Sequence, residues 1–310
     1  MRIVLTGCNG KLGRPCSELF ASRGHAVVGI DAAAGNAGPI PVIVDDLRNP
    51  ATIHRAFDKL GSTPDAVVHL ANHTNSLVAP MEVVLRENLS MNTSVFIAAA
   101  QAGVARIVFA SSIQAFMANA ENDGAMGQRM PHALPLNEAV PPRPSNVYGV
   151  SKLLTEKMLD QMCDPDAFRL PGRPPAAPLT AVSVRLPFIL SAPQYDSAVK
   201  NTFPSDFRWG GPEAFAYIHA EDAAEAMLAA ATARIDRHEV VWVSAADPRP
   251  AETVAQLVAK HYQAIPGAEE CIKARRLSDC SKAHRLLGWS PKHNMAKDRA
   301  KAGLTPAGEA

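Results

Sequence analysis

TGCNGKLG, residues 6–13, decides how the rest of the chain is read. It follows a short apolar run, RIVL at residues 2–5. It leads into a helical pattern over Lys11–Arg23 in which Leu12, Cys16, Leu19 and Phe20 share one face. Strand, glycine turn and helix therefore come in direct succession. Glycines at 7, 10 and 13 allow a tight turn, a close backbone approach and close helix packing. A helix N-terminus placed there offers free N–H groups and a positive dipole end to a pyrophosphate. The spacing is G-x-x-G-x-x-G, with Cys8 where G-x-G-x-x-G would have its first glycine. A plain structural turn is the bland alternative. The strand before and the helix after favour a dinucleotide cradle built from Gly7, Asn9, Gly10, Lys11, Leu12 and Gly13.

The pattern continues beyond the turn. Ala26–Ile30, Pro41–Val44, Ala66–Leu70 and Arg106–Ala110 read as buried strands. Pro50–Leu60, Pro80–Ala102 and Tyr148–Met162 read as helices between and after them. Leu179–Leu190 returns to strand, Ala220–Ala233 to helix and Val240–Val243 to strand. Continuous apolar strands alternating with helices predict an α/β fold, a Rossmann-type doubly wound parallel sheet. Residues 1–190, with a returning segment at about 217–245, are assigned to this cofactor domain. Residues 191–216 and 246–310 are assigned to a small C-terminal substrate-binding lobe. Helices are expected near Thr253–Tyr262 and Ser281–Leu287. The segments 113–146 and 164–178 are expected to be mostly loop, 191–214 is poor in periodicity and is placed over the sheet's carboxyl edge, and the last fifteen residues are expected to fray.

Composition narrows the function classes. The chain has 310 residues, 47% apolar and 20% charged, with a formal net charge of +1. That balance and the lack of a basic stripe argue against nucleic acid as a partner. Five scattered cysteines form no C-x-x-C pair, and no histidine group has zinc-ligand spacing, so no metal is expected. An odd cysteine count suits a reducing compartment. No run approaches 18 apolar residues, so no membrane span is expected. A cytoplasmic location is the resulting expectation.

Asp31 ends the second strand, 18 residues after Gly13. A carboxylate there accepts hydrogen bonds from adenosine ribose hydroxyls and repels a 2′-phosphate, which favours NAD over NADP. Asp46 and Leu47, after the third strand, are placed near the adenine, although a loop or capping acid reads equally well. In NVYGVSK, residues 146–152, Tyr148 and Lys152 stand at i and i+4, on one helix face. A free tyrosine has a pKa of about 10 and is a poor base, but a nearby ammonium stabilises its phenolate. RIVFASS, residues 106–112, ends a strand on hydroxyls, and Ser112 could bond the same substrate oxygen as Tyr148.

These motifs together resemble the extended short-chain dehydrogenase/reductase family, also called NAD-dependent epimerase/dehydratases. They are TGCNGKLG (6–13), DDL (45–47), HLAN (69–72), RIVFASS (106–112), YGVSK (148–152), YIHAEDAAEAM (217–227) and SKAHRLLGW (281–289). They run in family order over nearly the whole chain. The resemblance implies Tyr148 as acid/base, Lys152 as its partner and Ser112 as the hydroxyl helper. It also implies Asn88 as a structural asparagine near the cofactor, and His69, Leu70, Ala71 and Asn72 lining it. Asn72 departs from the alanine usual at that place. Homodimers through the helices near 80–102 and 148–162 are common in such proteins.

Departures narrow the chemistry. Ile113 and Gln114 stand where dehydratases carry an acidic pair. Phe215 stands where many sugar-nucleotide epimerases carry an arginine, and Phe188 where the family has an asparagine. Arg208 or Lys200 could substitute as anion holders. RIVFASS with PPRPSNVYGVSK (141–152) resembles uronate dehydrogenases, with Ile113 in place of their asparagine. Arg185, Gln194 and Tyr195 are candidate pocket groups, and Arg185 reads equally well as structural. The expected activity is NAD-dependent, Tyr/Lys/Ser-assisted hydride transfer on a small hydroxyl or carbonyl compound, such as a sugar or sugar acid. A sugar-nucleotide epimerase is the alternative within the family. A non-catalytic NAD-binding sensor is the alternative outside enzymology.

Overall fold

In strand β1 (Arg2–Thr6), Ile3 and Leu5 point into one apolar cluster and Val4 into another. The alternation follows from the two-residue period of a strand. It repeats in β2 (Ala26–Asp31), β4 (Ala66–His69), β5 (Arg106–Ser112) and β6 (Thr180–Leu186), so the sheet is buried on both faces. β3 (Val42–Val44) closes one edge and β9 (His238–Trp242) the other. The order is β3-β2-β1-β4-β5-β6-β9, seven strands with every pairing parallel. The chain runs outward from β1 to β3 and then returns to the opposite side of β1 as β4. That reversal leaves a crevice at the carboxyl ends of β1 and β4, where doubly wound sheets bind ligands.

This computed structural model describes residues 1–74, 79–116, 130–164, 166, 171, 178–201 and 203–304. Most of the loop expected at 164–178, part of that at 113–146, and residues 305–310 lie outside the described residues.

Helices cover the two faces unequally. α1 (Gly13–Ser22) packs through Cys16 and Phe20 on the Ile3/Leu5 face, beside α6 (Ala220–Thr232). α2 (Pro50–Leu60), α3 (Met81–Gln101) and α4 (Val147–Met162) cover the Val4 face. α2 shows how local sequence sets its bounds. Asn49 caps its start by accepting the Ala51 N–H at 3.0 Å, and Pro50 takes the first turn. Gly61 ends it at φ 72°, in the left-handed region.

Several expectations need correction. Pro187 lacks an N–H, and the expected strand 179–190 divides there into β6 and β7 (Phe188–Leu190). β7 pairs in parallel with β8 (Tyr217–His219) as a separate two-stranded sheet. The segment 191–214, poor in periodicity, contains α5 (Ala192–Lys200), whose start is closed by Gln194 accepting the Ser191 N–H at 3.2 Å. The helix near 253–262 is α7 (Val254–Leu257) followed by a wider π turn. α8 (Ala268–Ala274) was not foreseen, whereas α9 (Ser281–Leu287) was. The end of the chain is not wholly frayed. α10 (Met295–Lys301) docks through buried Arg299, which donates to Ala198 O at 2.9 Å and Arg249 O at 3.1 Å.

Candidate active site

A cavity of about 1330 Å³ occupies the crevice. Of the residues expected at the cofactor, it is lined by Gly7, Gly10, Lys11, Leu12, Gly13, Asp31, Asp46, Leu47, Leu70, Ala71, Asn72, Tyr148 and Lys152. Asn9, His69 and Asn88 are not among its lining residues. Asn9 instead ties the turn down, with its N–H on Asp31 Oδ2 at 2.9 Å and its Nδ2 on Ala33 O at 2.7 Å. Asn88 is buried and clamps His73, accepting its N–H at 2.7 Å and donating to its carbonyl at 3.0 Å.

The glycine turn fits a dinucleotide cradle sterically. Gly7 has φ +69°, and a Cβ there would lie 2.8 Å from Ala71 N. A Cβ at Gly13 would lie 2.0 Å from Gly7 O. Neither position tolerates a side chain, so glycine lets the turn close on itself and against Ala71. Asp31 accepts from Asn9 and, through Oδ1, from Ala33 N–H at 3.1 Å, which holds its carboxylate at the cavity wall. Asp46 is gripped by Arg48 at 2.6 Å, and that guanidinium holds its carboxyl below the usual range.

Tyr148, Lys152 and Ser112 converge in the same cavity. Ser112 is the last residue of β5, and its hydroxyl bonds the Tyr148 phenol. Gly149 explains how a helix reaches that strand end. A Cβ at 149 would lie 2.2 Å from Gln114 O, so only glycine lets α4 press against the turn after Ser112. Asn146 fixes the helix start, accepting the Gly149 N–H at 2.7 Å while its Nδ2 donates to Gln114 Oε1 at 2.9 Å. Burial pushes the Tyr148 phenol up to about 12, with the Ser112 bond pulling the other way. Lys152 is 2% exposed and donates to Ala110 O and Asn72 Oδ1, both at 2.7 Å. Its ammonium lies 4.5 Å from the Phe109 ring centroid and 5.3 Å from that of Tyr148. Burial pushes the Lys152 ammonium down to about 7, and the Glu156 charge opposes that shift.

Ser111 is spoken for, because its hydroxyl donates to Glu156 Oε1 at 2.6 Å. The same carboxylate takes a two-pronged bond from Arg185, at 3.0 and 2.7 Å, and Arg185 stacks on Phe116. Arg185 is thus structural. Gln194 and Tyr195 also fall outside the cavity lining, Tyr195 donating to Asp298 at 2.7 Å. Lys200 is likewise not a lining residue, but Arg208 is.

The cavity has further walls that the sequence left unread. Arg249 is 5% exposed and sits between the rings of Phe188 and Phe203, 5.1 and 5.3 Å away. Phe188, Phe203, Pro204, Glu213 and Arg249 all line the cavity. Lys11 Nζ reaches across to Ile189 O at 2.8 Å. No local signal marks Arg249, which lies in the irregular stretch ADPRPA.

One group of metal-ligand residue types meets elsewhere. His219, Glu221 and His293 bring ligand atoms within 4.8 Å of one another. The imidazole of His219 already accepts the Glu221 N–H at its Nδ1, 3.2 Å away, as the cap of α6. Its ring lies flat on His293, with centroids 3.7 Å apart. Stacked rings send their lone pairs out side by side rather than toward a common centre.

A parallel Rossmann sheet with a glycine cradle and a Ser/Tyr/Lys cluster at its carboxyl edge defines a dinucleotide-binding architecture. The sequence model of the NAD dependent epimerase/dehydratase family matches residues 3–243, and the chain belongs to that family. It is 30% identical over 166 residues to a UDP-glucose 4-epimerase of Azospirillum brasilense, covering 51% of this chain and 43% of the relative. It is 31% identical over 169 residues to an NAD-dependent glucose-6-phosphate dehydrogenase of Haloferax volcanii, covering 50% and 60%. A uronate dehydrogenase of Pseudomonas putida is 29% identical over 160 residues, covering 50% and 53%. The chain thus spans about half the length of the curated relatives it matches. The fold of Thermus thermophilus UDP-glucose 4-epimerase, solved with NAD, superposes with a TM-score of 0.65 at 20% identity over the whole of both chains. A mutated uronate dehydrogenase gives 0.63 at 18% identity, covering 100% of this chain and 87% of that one. No helix among the described residues is long and apolar enough to cross a membrane.

Proposed function

We propose that the protein is an NAD-dependent dehydrogenase of a small sugar or sugar acid. The observation that carries this reading is the convergence of Ser112, Tyr148 and Lys152 in one cavity with the glycine cradle. The cavity, at about 1330 Å³, exceeds the roughly 300–1,000 Å³ usual for one small ligand, which leaves room for a dinucleotide and a second molecule. Bound NAD supplies the hydride acceptor. The turn from Gly7 to Gly13 would face its pyrophosphate and Asp31 its adenosine ribose, which favours NAD over NADP.

The chain's own residues would handle the proton. Ser112 holds the reacting oxygen of the substrate, and Tyr148 takes the hydroxyl proton as hydride leaves the same carbon. Lys152 commits two of its three N–H groups to Ala110 and Asn72, and a third is available to a ribose hydroxyl. Arg208, paired with Asp206 at 2.8 Å, and Arg249 are basic groups of the cavity wall that a sugar carboxylate or phosphate could meet. Ile113 is buried and Gln114 is bound to Asn146, so no carboxylate stands ready there for eliminating water.

The two arginines equally support a second reading, a sugar-nucleotide epimerase gripping a diphosphate. A panel of aldoses, uronates, hexose phosphates and UDP-sugars separates the readings. Net NADH formation with a free sugar or sugar acid is the expected result. An epimerised UDP-sugar without net NADH would replace it with the epimerase. NAD binding with no turnover across the panel would make the chain a cofactor sensor.

A homodimer would pair through α3 and α4, which pack side by side in the chain. Leu154 of α4 is 46% exposed there. A mass of twice 33.0 kDa is expected in sedimentation, falling toward the monomer in Leu154→Glu. A monomeric parent chain would refute that assembly.

A further inference from the structure

Asn72 is where HLAN departs from its family pattern, and its surroundings can be read outward from Lys152. An ammonium carries donors only, so the Asn72 atom 2.7 Å from Nζ is the amide oxygen. Its Nδ2 must then face Asn92 Oδ1, 2.8 Å away. That oxygen also faces His69 Nε2 at 2.8 Å, which makes Nε2 the protonated nitrogen. His69 Nδ1 is left to accept from the Thr6 hydroxyl at 2.7 Å. Asn92 Nδ2 donates to Thr155 Oγ1 at 2.7 Å, and Thr155 donates to Ser151 O at 2.7 Å.

Thr6, His69, Asn92 and Thr155 are each fully buried. They come from β1, β4, α3 and α4, so four elements brace Asn72 from behind. Burial pushes His69 down to about 3, which keeps this tautomer through neutral pH. The network ends at Thr6, directly before the glycine cradle, and its other end is the ammonium.

We propose that Asn72 is a positioning residue that fixes the Lys152 ammonium beside Tyr148 and keeps it charged. The role rests on the reading of Tyr148 and Lys152 as the proton-handling pair. Among the described residues, Glu156 supports the charge from a distance and two oxygens touch it. On its own helix stand Tyr148 and Glu156, and Glu156 is shared with Arg185 of β6 and Ser111. β5 contributes the Phe109 ring and Ala110 O. β4 contributes His69, which is neutral. Asn72 Oδ1 and Ala110 O are therefore the oxygens in direct contact with the charge. Burial has brought the ammonium close to neutral-pH titration, so loss of one such bond would decide its protonation state.

The test needs no substrate, so it stands or falls apart from the sugar-dehydrogenase reading. The full chain labelled with 13Cε-lysine is titrated by NMR, with the Lys152 signal assigned by Lys152→Met. In Asn72→Leu the midpoint is expected to fall by about one pH unit, and in Asn72→Asp to rise above the parent. Both variants lose the bond to Asn92, so a merely structural role would move both the same way. Asn72→Ala replaces the leucine variant if that chain does not fold. An unchanged midpoint in the folded apolar variant, or shifts of one sign in both variants, overturns the proposal.

Discussion

Turnover in Tyr148→Phe is expected to fall by about 10²–10⁴-fold, with NAD affinity nearly unchanged. The phenol is the group that exchanges the substrate proton, whereas the cradle, Asp31 and Lys152 are left in place. Its ring is partly buried at the cavity wall and phenylalanine keeps that packing. The cost is confined to the lost oxygen and its bond to Ser112. Burial pushes the phenol up to about 12, and the Ser112 bond pulls the other way. Accepting a proton requires the positive charge of Lys152, which is why the hold of Asn72 on that charge matters. Steady-state rates on a substrate from the panel, with calorimetric NAD titration, check the prediction. Full turnover in the variant would remove Tyr148 from the chemistry.

Glu156→Ala is expected to cost about 3–5 kcal/mol of stability. Glu156 and Arg185 have side chains only 2% and 5% exposed, 2.7 Å apart. Removing the carboxylate strands a guanidinium between β6 and α4 and takes away the acceptor of Ser111. The loss should appear as a lowered denaturant midpoint. The double variant Glu156→Leu, Arg185→Leu should recover much of it, because an apolar pair leaves no charge uncompensated. A single variant as stable as the parent would show that the pair is not buried in solution.

Much of the fold was legible because its signals are local. Glycines 7, 10 and 13 constrain backbone only a few bonds away. Each buried strand announces itself by an unbroken apolar run, and α2 carries its own stop and start in Asn49, Pro50 and Gly61. α5 and α10 escaped because their apolar faces are short and their main ties are distant. Tyr195 meets Asp298 across 103 positions, and Arg299 meets Ala198 across 101.

The sequence by itself determined the α/β order, the glycine turn and the placement of Tyr148 and Lys152 on one helix face. Those follow from strand and helix periods and from what glycine alone permits. Only the tertiary structure decided that Arg185 serves Glu156 rather than the cavity, that Arg249 reaches it, and that Asn72 meets Lys152 across 80 positions. A hydrogen bond between side chains depends on ångström distances set by several packed elements at once, and no window along the chain contains them.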